Sequence, residues 1–402
     1  MTSNPISSTV GRLSQSATLA MSQRCDEMTA EGIHVVNLSI GEPDFDTPAH
    51  IKEAAKEAID RNYSKYPPVA GYLSLRKAIS AKLLRENGLQ YSPEEIIVSN
   101  GAKQSLCNAV LSLVSPGEEV IIPAPYWVSY PQMVRLAGGI PVYVEAPIGQ
   151  HFKMTAEQLE AAITPRTRLL ILCSPGNPSG AVYSRGELEA LAKVILRHKD
   201  LFVISDEIYE HINYVGGHAS IASIPGMRER AVLVNGVSKA YAMPGWRIGY
   251  LAAPKWLVGA CSRLQGQYTS GAGTISQKAA EAALGGPQDC VEQMRLAFLR
   301  RRNLLVGLLR EIPGLEVNEP EGAFYLFPRC AGFFGKAFGG KVIKDASDLA
   351  LFLLEEGHVA TVSGDGFGAP GYLRLSYATS DENLVEAARR MKEALGKLTD
   401  KR

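Results

Sequence analysis

The sequence predicts an α/β protein: a large domain on a mostly parallel seven-stranded sheet covered by helices on both faces, plus a smaller α+β domain formed by both chain ends. Three observations carry this expectation. Seven short apolar runs recur between Ile96 and Leu251, most of them separated by helix-length segments, as expected for strands buried on both faces. After Gly285-Gly286-Pro287 the pattern changes to one long helical stretch and scattered strand signals. At 402 residues, 46% hydrophobic and 21% charged, the chain is long enough for a large core and for two domains.

Lys plus Arg number 42 against 41 Asp plus Glu, so no global field favours a nucleic acid or a membrane surface. The cysteines Cys25, Cys107, Cys173, Cys261, Cys290 and Cys330 are scattered without a CxxC pair, which predicts buried free thiols rather than a disulfide framework, and no metal site. The N-terminal stretch lacks a basic segment followed by a long apolar one, and no run of about 18 uncharged apolar residues occurs. These features predict a cytoplasmic enzyme.

Taken in order, residues 1 to about 35 read as a polar arm with a lightly amphipathic helix over Ala20 to Ala30. Val35 to Ile40 reads as a short strand entering the loop Gly41-Glu42-Pro43-Asp44-Phe45, where Gly and Pro allow close approach of a ligand. Thr47 as N-cap and Pro48 as first helical residue predict a helix to about Arg61. Tyr66, before Pro67-Pro68, is held extended, and a helix follows from Leu73 to Asn87. The seven strand runs are Ile96–Val98, Val120–Ile122, Pro141–Val144, Leu169–Leu172, Leu201–Ile204, Ala231–Val234 and Ile248–Leu251. A single loop joins the last two, a link that lets one strand run antiparallel. Gln288 to Arg310 reads as a long helix whose Arg300-Arg301-Arg302 forms a solvated face. Gly314–Phe327, Val359–Val362 and Tyr372–Ser376 read as strands, with a closing helix from Asp381. The expected division is 1–48 (arm and part of the small domain), 49–287 (large domain) and 288–402 (small domain).

Polar residues cluster at the C-terminal ends of the strand runs, where such a sheet carries its site. Gly101-Ala102-Lys103 follows the first run, and free N–H groups at that helix start suit a phosphate. Lys103 costs about 0.3–1 kcal/mol there unless an anion binds beside it. Trp127 can stack on a ligand ring or pack in a core or interface. Asn177 lies in a Pro- and Gly-rich loop, either a plain turn or a donor to a ligand. Asp206, at the tip of a buried strand, needs a cationic partner, with Tyr209 three residues on. Lys239 follows the Ala231–Val234 run and its Asn235-Gly236 turn signal. Its amine can form a Schiff base, and Arg247, eight residues later, suits a phosphate.

In this order and spacing these segments resemble the class I pyridoxal-phosphate aminotransferases, of fold type I, over nearly the whole chain. Gly41-Glu42-Pro43 and Gly371-Tyr372-Leu373-Arg374-Leu375-Ser376-Tyr377-Ala378 share the likeness. The resemblance implies that 49–287 binds pyridoxal 5'-phosphate, with Lys239 as Schiff-base lysine and general base and Asp206 as partner of the ring nitrogen. It makes Tyr209 and Asn177 partners of the phenolic oxygen and Trp127 the stacking ring. It puts Arg247 and the Gly101, Ala102 and Lys103 amides on the phosphate, with Tyr66 reaching that phosphate across a homodimer interface. Gly41, Trp127, Asn177 and Arg374 would border the substrate, Arg374 gripping its α-carboxylate bidentately.

The pattern, including Gly-Ala-Lys-Gln and Tyr-Trp-Val-Ser-Tyr, is most similar to the one-lysine subgroup of bacterial aspartate aminotransferases. There the residue matching Lys103 contacts the substrate's side-chain carboxylate, which implies aspartate with 2-oxoglutarate. Alternatives are prephenate, with Arg12 or Lys103 serving the larger dianion, alanine or aromatic substrates, or a C–S lyase on the same cofactor. An aminotransferase-like regulator would need a DNA-binding module that the short N-terminus has no room for. One departure stands out. Many relatives carry a serine three residues before the lysine, and here that position is Gly236, leaving its phosphate contact to Ser238, water or Tyr66.

Overall fold

The computed structural model describes residues 6–14 and 17–400. The rest of the predicted N-terminal arm (1–5 and 15–16) lies outside the described residues. All seven apolar runs form one sheet: β1 (Ile96–Asn100), β2 (Glu119–Ala124), β3 (Ile140–Glu145), β4 (Thr167–Cys173), β5 (Phe202–Asp206), β6 (Ala231–Gly236) and β7 (Ile248–Ala252). Their spatial order is β1-β7-β6-β5-β4-β2-β3. Only β7 runs against its neighbours, antiparallel to both β1 and β6, because a loop and one 3-10 turn are too short for a crossover. The other pairs are parallel.

Alternation along the strands divides the core in two. Ile96, Val98, Ile121, Leu170, Leu172, Val203 and Leu233 face helices Leu73–Asn87, Arg185–Arg197 and Thr274–Gly285. Ile97, Val120, Ile122, Leu169, Ile171, Ile204 and Val234 face helices Ala102–Leu113 and Lys255–Tyr268. Each such side chain contributes about 1.5–3 kcal/mol on burial. All strands but the half-exposed edge strand β3 are therefore apolar on both sides, and the polar residues of interest lie at the strand ends.

A separate cluster joins the two chain ends. Strand Val36–Asn37 pairs parallel with Val359–Ala360, while Leu373–Ser376 pairs antiparallel with both Val362–Ser363 and Tyr325–Leu326. Helices Asp289–Arg310, Ala346–Gly357 and Asp381–Gly396 pack over them through Phe298, Leu305, Leu353, Leu384 and Met391.

Several details differ from expectation. Pro48, not Thr47, is the N-cap of helix Ala49–Asp60. The Thr47 hydroxyl instead donates to the Ala242 carbonyl (2.7 Å) and accepts from the Trp246 indole (3.0 Å). Asn235-Gly236 does not turn; both stay in β6 because β7 returns beside them, pairing Asn235 with Tyr250 and Gly236 with Gly249. Of Gly314–Phe327 only Tyr325–Leu326 is strand. The basic run is not uniformly solvated: Arg301 is buried and donates bidentately to Asp44 (2.7 and 2.9 Å), tying the Gly41–Phe45 loop to the long helix. All six cysteines are free. Among the described residues no helix is long and apolar enough to cross a membrane.

Candidate active site

A cavity of about 650 Å³ opens at the C-terminal ends of β1, β2, β4, β5 and β6, within the range of small-molecule sites. Lys103, Trp127, Asn177, Asp206, Tyr209, Lys239, Arg247 and Arg374 all line it, with Gly41 and Ala102. Gly101 lies just behind, and Tyr66 is 97% exposed and outside the lining. Arg12 is exposed at the end of helix Ser8–Gly11, also outside it.

Lys239 sits in the turn that ends β6, and its amine donates to the Gly41 carbonyl at 2.6 Å. Burial lowers its pKa to about 8; Arg374 and Arg247 push the same way, while Glu42 and Asp206 oppose. Asp206 ends β5. Its Oδ2 accepts from the Tyr130 hydroxyl at 2.6 Å and its Oδ1 from the Ile208 N–H at 3.3 Å. Burial raises Asp206 to about 6 even against those two donors. A buried carboxyl poised this way is suited to a cationic ring partner.

The hydroxyls of Tyr209 and Tyr325 lie 2.8 Å apart, and burial holds both above the usual phenol range. Arg374 donates to the Asn177 side-chain oxygen (3.3 Å) and to the Ser39 carbonyl (2.5 Å). Its Nε is buried without a hydrogen-bond partner. Lys103 lies over the Trp127 ring, 4.9 Å from the centroid. Burial, reinforced by Arg247, lowers its pKa.

The anion cradle depends on two glycines. Gly101 is the N-cap of helix Ala102–Leu113 at φ 81°, and a Cβ there would lie 2.3 Å from the Arg247 guanidinium. A Cβ on Gly249 would lie 2.1 Å from the Ala102 nitrogen. Arg247 itself adopts φ 57°, and its guanidinium donates to the Pro244 and Asn100 carbonyls (2.9 and 3.3 Å). Helix N–H groups and the Arg247 guanidinium thus converge at one end of the cavity, an arrangement suited to phosphate. Gly236 is explained by crowding: a side chain would meet the Ile248 carbonyl at 2.8 Å and Gly249 Cα at 2.9 Å.

Sequence reasoning missed Tyr130 and Tyr325. Tyr130 follows Trp127 by three residues, a helical offset that returns a side chain to the same side. Tyr325 comes from the distant two-residue strand, and no local signal points to it. Ser22, on helix Ala17–Ala30, also lines the cavity.

The profile of the family described as aminotransferase class I and II matches residues 33–391. The aspartate/prephenate aminotransferase of Cereibacter sphaeroides is 49% identical over 389 residues, covering 96% of this chain and 97% of that protein. The crystal structure of the Rhizobium meliloti aspartate aminotransferase superposes with a TM-score of 0.95 at 46% identity, covering 99% of this chain and 100% of the other. The Thermus thermophilus aspartate aminotransferase with maleate gives 0.92 at 43%, over 98% and 100%. The chain belongs to the class I and II aminotransferases and has their fold type I architecture.

Proposed function

We propose that this aminotransferase moves the amino group of aspartate to 2-oxoglutarate, giving oxaloacetate and glutamate, with pyridoxal 5'-phosphate held by Lys239. The observation that carries this reading is one cavity lined by a half-buried amine of lowered pKa, a buried acid of raised pKa and a glycine-dependent anion cradle. These donors fit the cofactor's aldehyde, ring nitrogen and phosphate. When bound, pyridoxal phosphate supplies a carbonyl that takes up amino groups and a protonated ring that withdraws electrons from the substrate's α-carbon.

The residues divide the remaining work. Asp206, as the carboxylate, holds the proton on the ring nitrogen. Lys239 would hold the cofactor's aldehyde carbon and, as a neutral amine, would serve as the general base that moves the substrate's α-proton. A pKa of about 8 leaves an appreciable neutral fraction near pH 7. Tyr209 and Asn177 serve the phenolic oxygen, Trp127 covers the ring, and Arg247 with the Gly101–Lys103 amides holds the phosphate. Arg374, which lines the cavity with Gly41, takes the α-carboxylate through its planar guanidinium. Lys103 takes the substrate's second carboxylate.

We further propose that Tyr66, exposed on its own subunit, completes the phosphate site of a second copy in a homodimer. Residues 1–48 and 288–402 would act as one small domain against 49–287, which the shared cluster of Val36 and Leu38 with Phe298 and Leu373 supports. Six free cysteines suit the cytoplasm. Prephenate is a second amino acceptor in this reading, since the Cereibacter sphaeroides relative carries that activity in its name.

Incubation with aspartate, 2-oxoglutarate and added cofactor tests the assignment. Oxaloacetate and glutamate in equal amounts are expected; no transfer between this pair, with ammonia and pyruvate released instead from a substrate carrying a β-thiol leaving group, would indicate a lyase.

A further inference from the structure

Asp206 and Tyr209 face the cavity, while Glu207 and Glu210 of the same segment do not line it and are held from behind. Glu207 accepts from the Ser205 and Ser220 hydroxyls (2.8 and 2.6 Å) and pairs with the His218 ring at 2.9 Å. Glu210 accepts from Lys82, from the Asn87 amide (2.8 Å) and from the Asn235 amide (2.7 Å). Lys82 also donates to the Asn87 side-chain oxygen at 2.9 Å. Lys82, Glu210 and Asn235 are all buried. Burial pushes Glu210 upward, but the Lys82 ammonium and the His211 and His218 rings hold it well below the carboxylate range, so the pair stays ionised.

The placement of Asn235 decides what this network does. Backbone pairing between β5 and β6 stops at Asp206 and Val234, and the last bond runs from the Glu207 N–H to the Val234 carbonyl at 2.8 Å. Beyond it β5 curls into a turn, in which the Glu210 N–H donates to the Glu207 carbonyl (2.9 Å), while β6 continues to Gly236. The Asn235 carboxamide spans the gap. Its amide donates to Glu210, and its oxygen accepts the Gly236 N–H at 2.7 Å. One side chain therefore bonds the tip that carries Asp206 and Tyr209 to the tip that leads into Lys239.

We propose that Asn235, Glu210 and Lys82 are positioning residues, which set from behind the cavity the spacing between Lys239 and the Asp206–Tyr209 tip. This rests on the reading that Lys239 and Asp206 hold two ends of one cofactor. Well-packed apolar residues replace a buried ion pair without loss of stability in many proteins. They cannot bond to two diverging strand tips, and that is the property the network supplies.

The test compares Asn235→Ala, Asn235→Asp and the double variant Asn235→Asp/Glu210→Gln in the cofactor-loaded enzyme. For Asn235→Ala we expect kcat to fall about tenfold to a hundredfold, the scale of a misplacement on the order of 1 Å. KM for both substrates should stay within about threefold, and the pH midpoint of the bound cofactor's absorbance should move. In cofactor-free protein, deuterium exchange at the Gly236–Lys239 amides should quicken. Asn235→Asp sets two carboxylates against each other and should be worse. The double variant restores a donor at 210 and an acceptor at 235, and should recover kcat and the absorbance midpoint. Wild-type kcat and midpoint in Asn235→Ala, or a double variant no better than Asn235→Asp, would overturn the proposal. If Asn235→Ala does not fold, the comparison of the other two variants decides in the same way. Wild-type protein that takes up no cofactor would refute the cofactor assignment and this inference together; variants matching a loaded wild type refute the inference alone.

Discussion

The Tyr130 hydroxyl donates a 2.6 Å hydrogen bond to Oδ2 of Asp206, and both groups are buried. That donor works against the burial that raises Asp206 to about 6. Tyr130→Phe should therefore raise Asp206 further and leave less carboxylate for a ring nitrogen. A hydrogen bond to a charged group contributes about 1.5–3 kcal/mol, so kcat should fall about tenfold or more. Steady-state kinetics of the folded variant checks this; an unchanged kcat would show that the acid's charge is set by other groups.

Lys239 carries the clearest pH dependence. Burial lowers its pKa to about 8, against about 10.4 for an ordinary lysine. The folded amine loses its proton before the unfolded one does, so its effect on stability improves as pH rises from about 8 to about 10.4. Only the neutral amine attacks an aldehyde. Uptake of pyridoxal phosphate by cofactor-free protein should accelerate through about pH 8 and then level off, as followed by absorbance. A midpoint near 10 would mean that the amine is not desolvated.

Gly236→Ser would place a hydroxyl three residues before Lys239, yet the new Cβ would meet the Ile248 carbonyl and Gly249 Cα at 2.8 and 2.9 Å. Both are backbone atoms of β7 and cannot swing aside. Destabilisation of about 1–3 kcal/mol is expected, read as a lower thermal midpoint. A variant that melts with the parent would show that β7 yields at little cost.

Much of this was legible in the chain, for definable reasons. Six strands buried on both faces read as apolar runs, and the half-exposed edge strand β3 still shows one over Pro141–Val144, so all seven sheet strands were visible. Lys239, Asp206 and Asn177 sit at or just past the ends of such runs, which made them candidates, and the family resemblance supplied their roles. The hidden part is what depends on neighbours far apart in the chain. Tyr325 comes 116 residues after its partner Tyr209, and Asp44 meets Arg301 across 257. The Thr47 cap failed for a related reason: Trp246 and Ala242, distant in sequence, compete for its hydroxyl.

Lys103 tests the substrate assignment. It reaches the cavity over Trp127, where it can meet a second carboxylate that aspartate has and alanine lacks. Lys103→Ser should lower kcat/KM for aspartate about tenfold or more relative to alanine, the worth of one charge-assisted hydrogen bond. An equal loss on both substrates would assign the lysine to the cofactor instead.

The most direct test of the whole account is to trap the attachment itself. Protein loaded with pyridoxal phosphate is reduced with borohydride, digested, and its peptides weighed, alongside Lys239→Ala treated in parallel. The account predicts a single stable adduct on Lys239 and neither adduct nor turnover in the variant. An adduct on another lysine, or turnover surviving in Lys239→Ala, would contradict it.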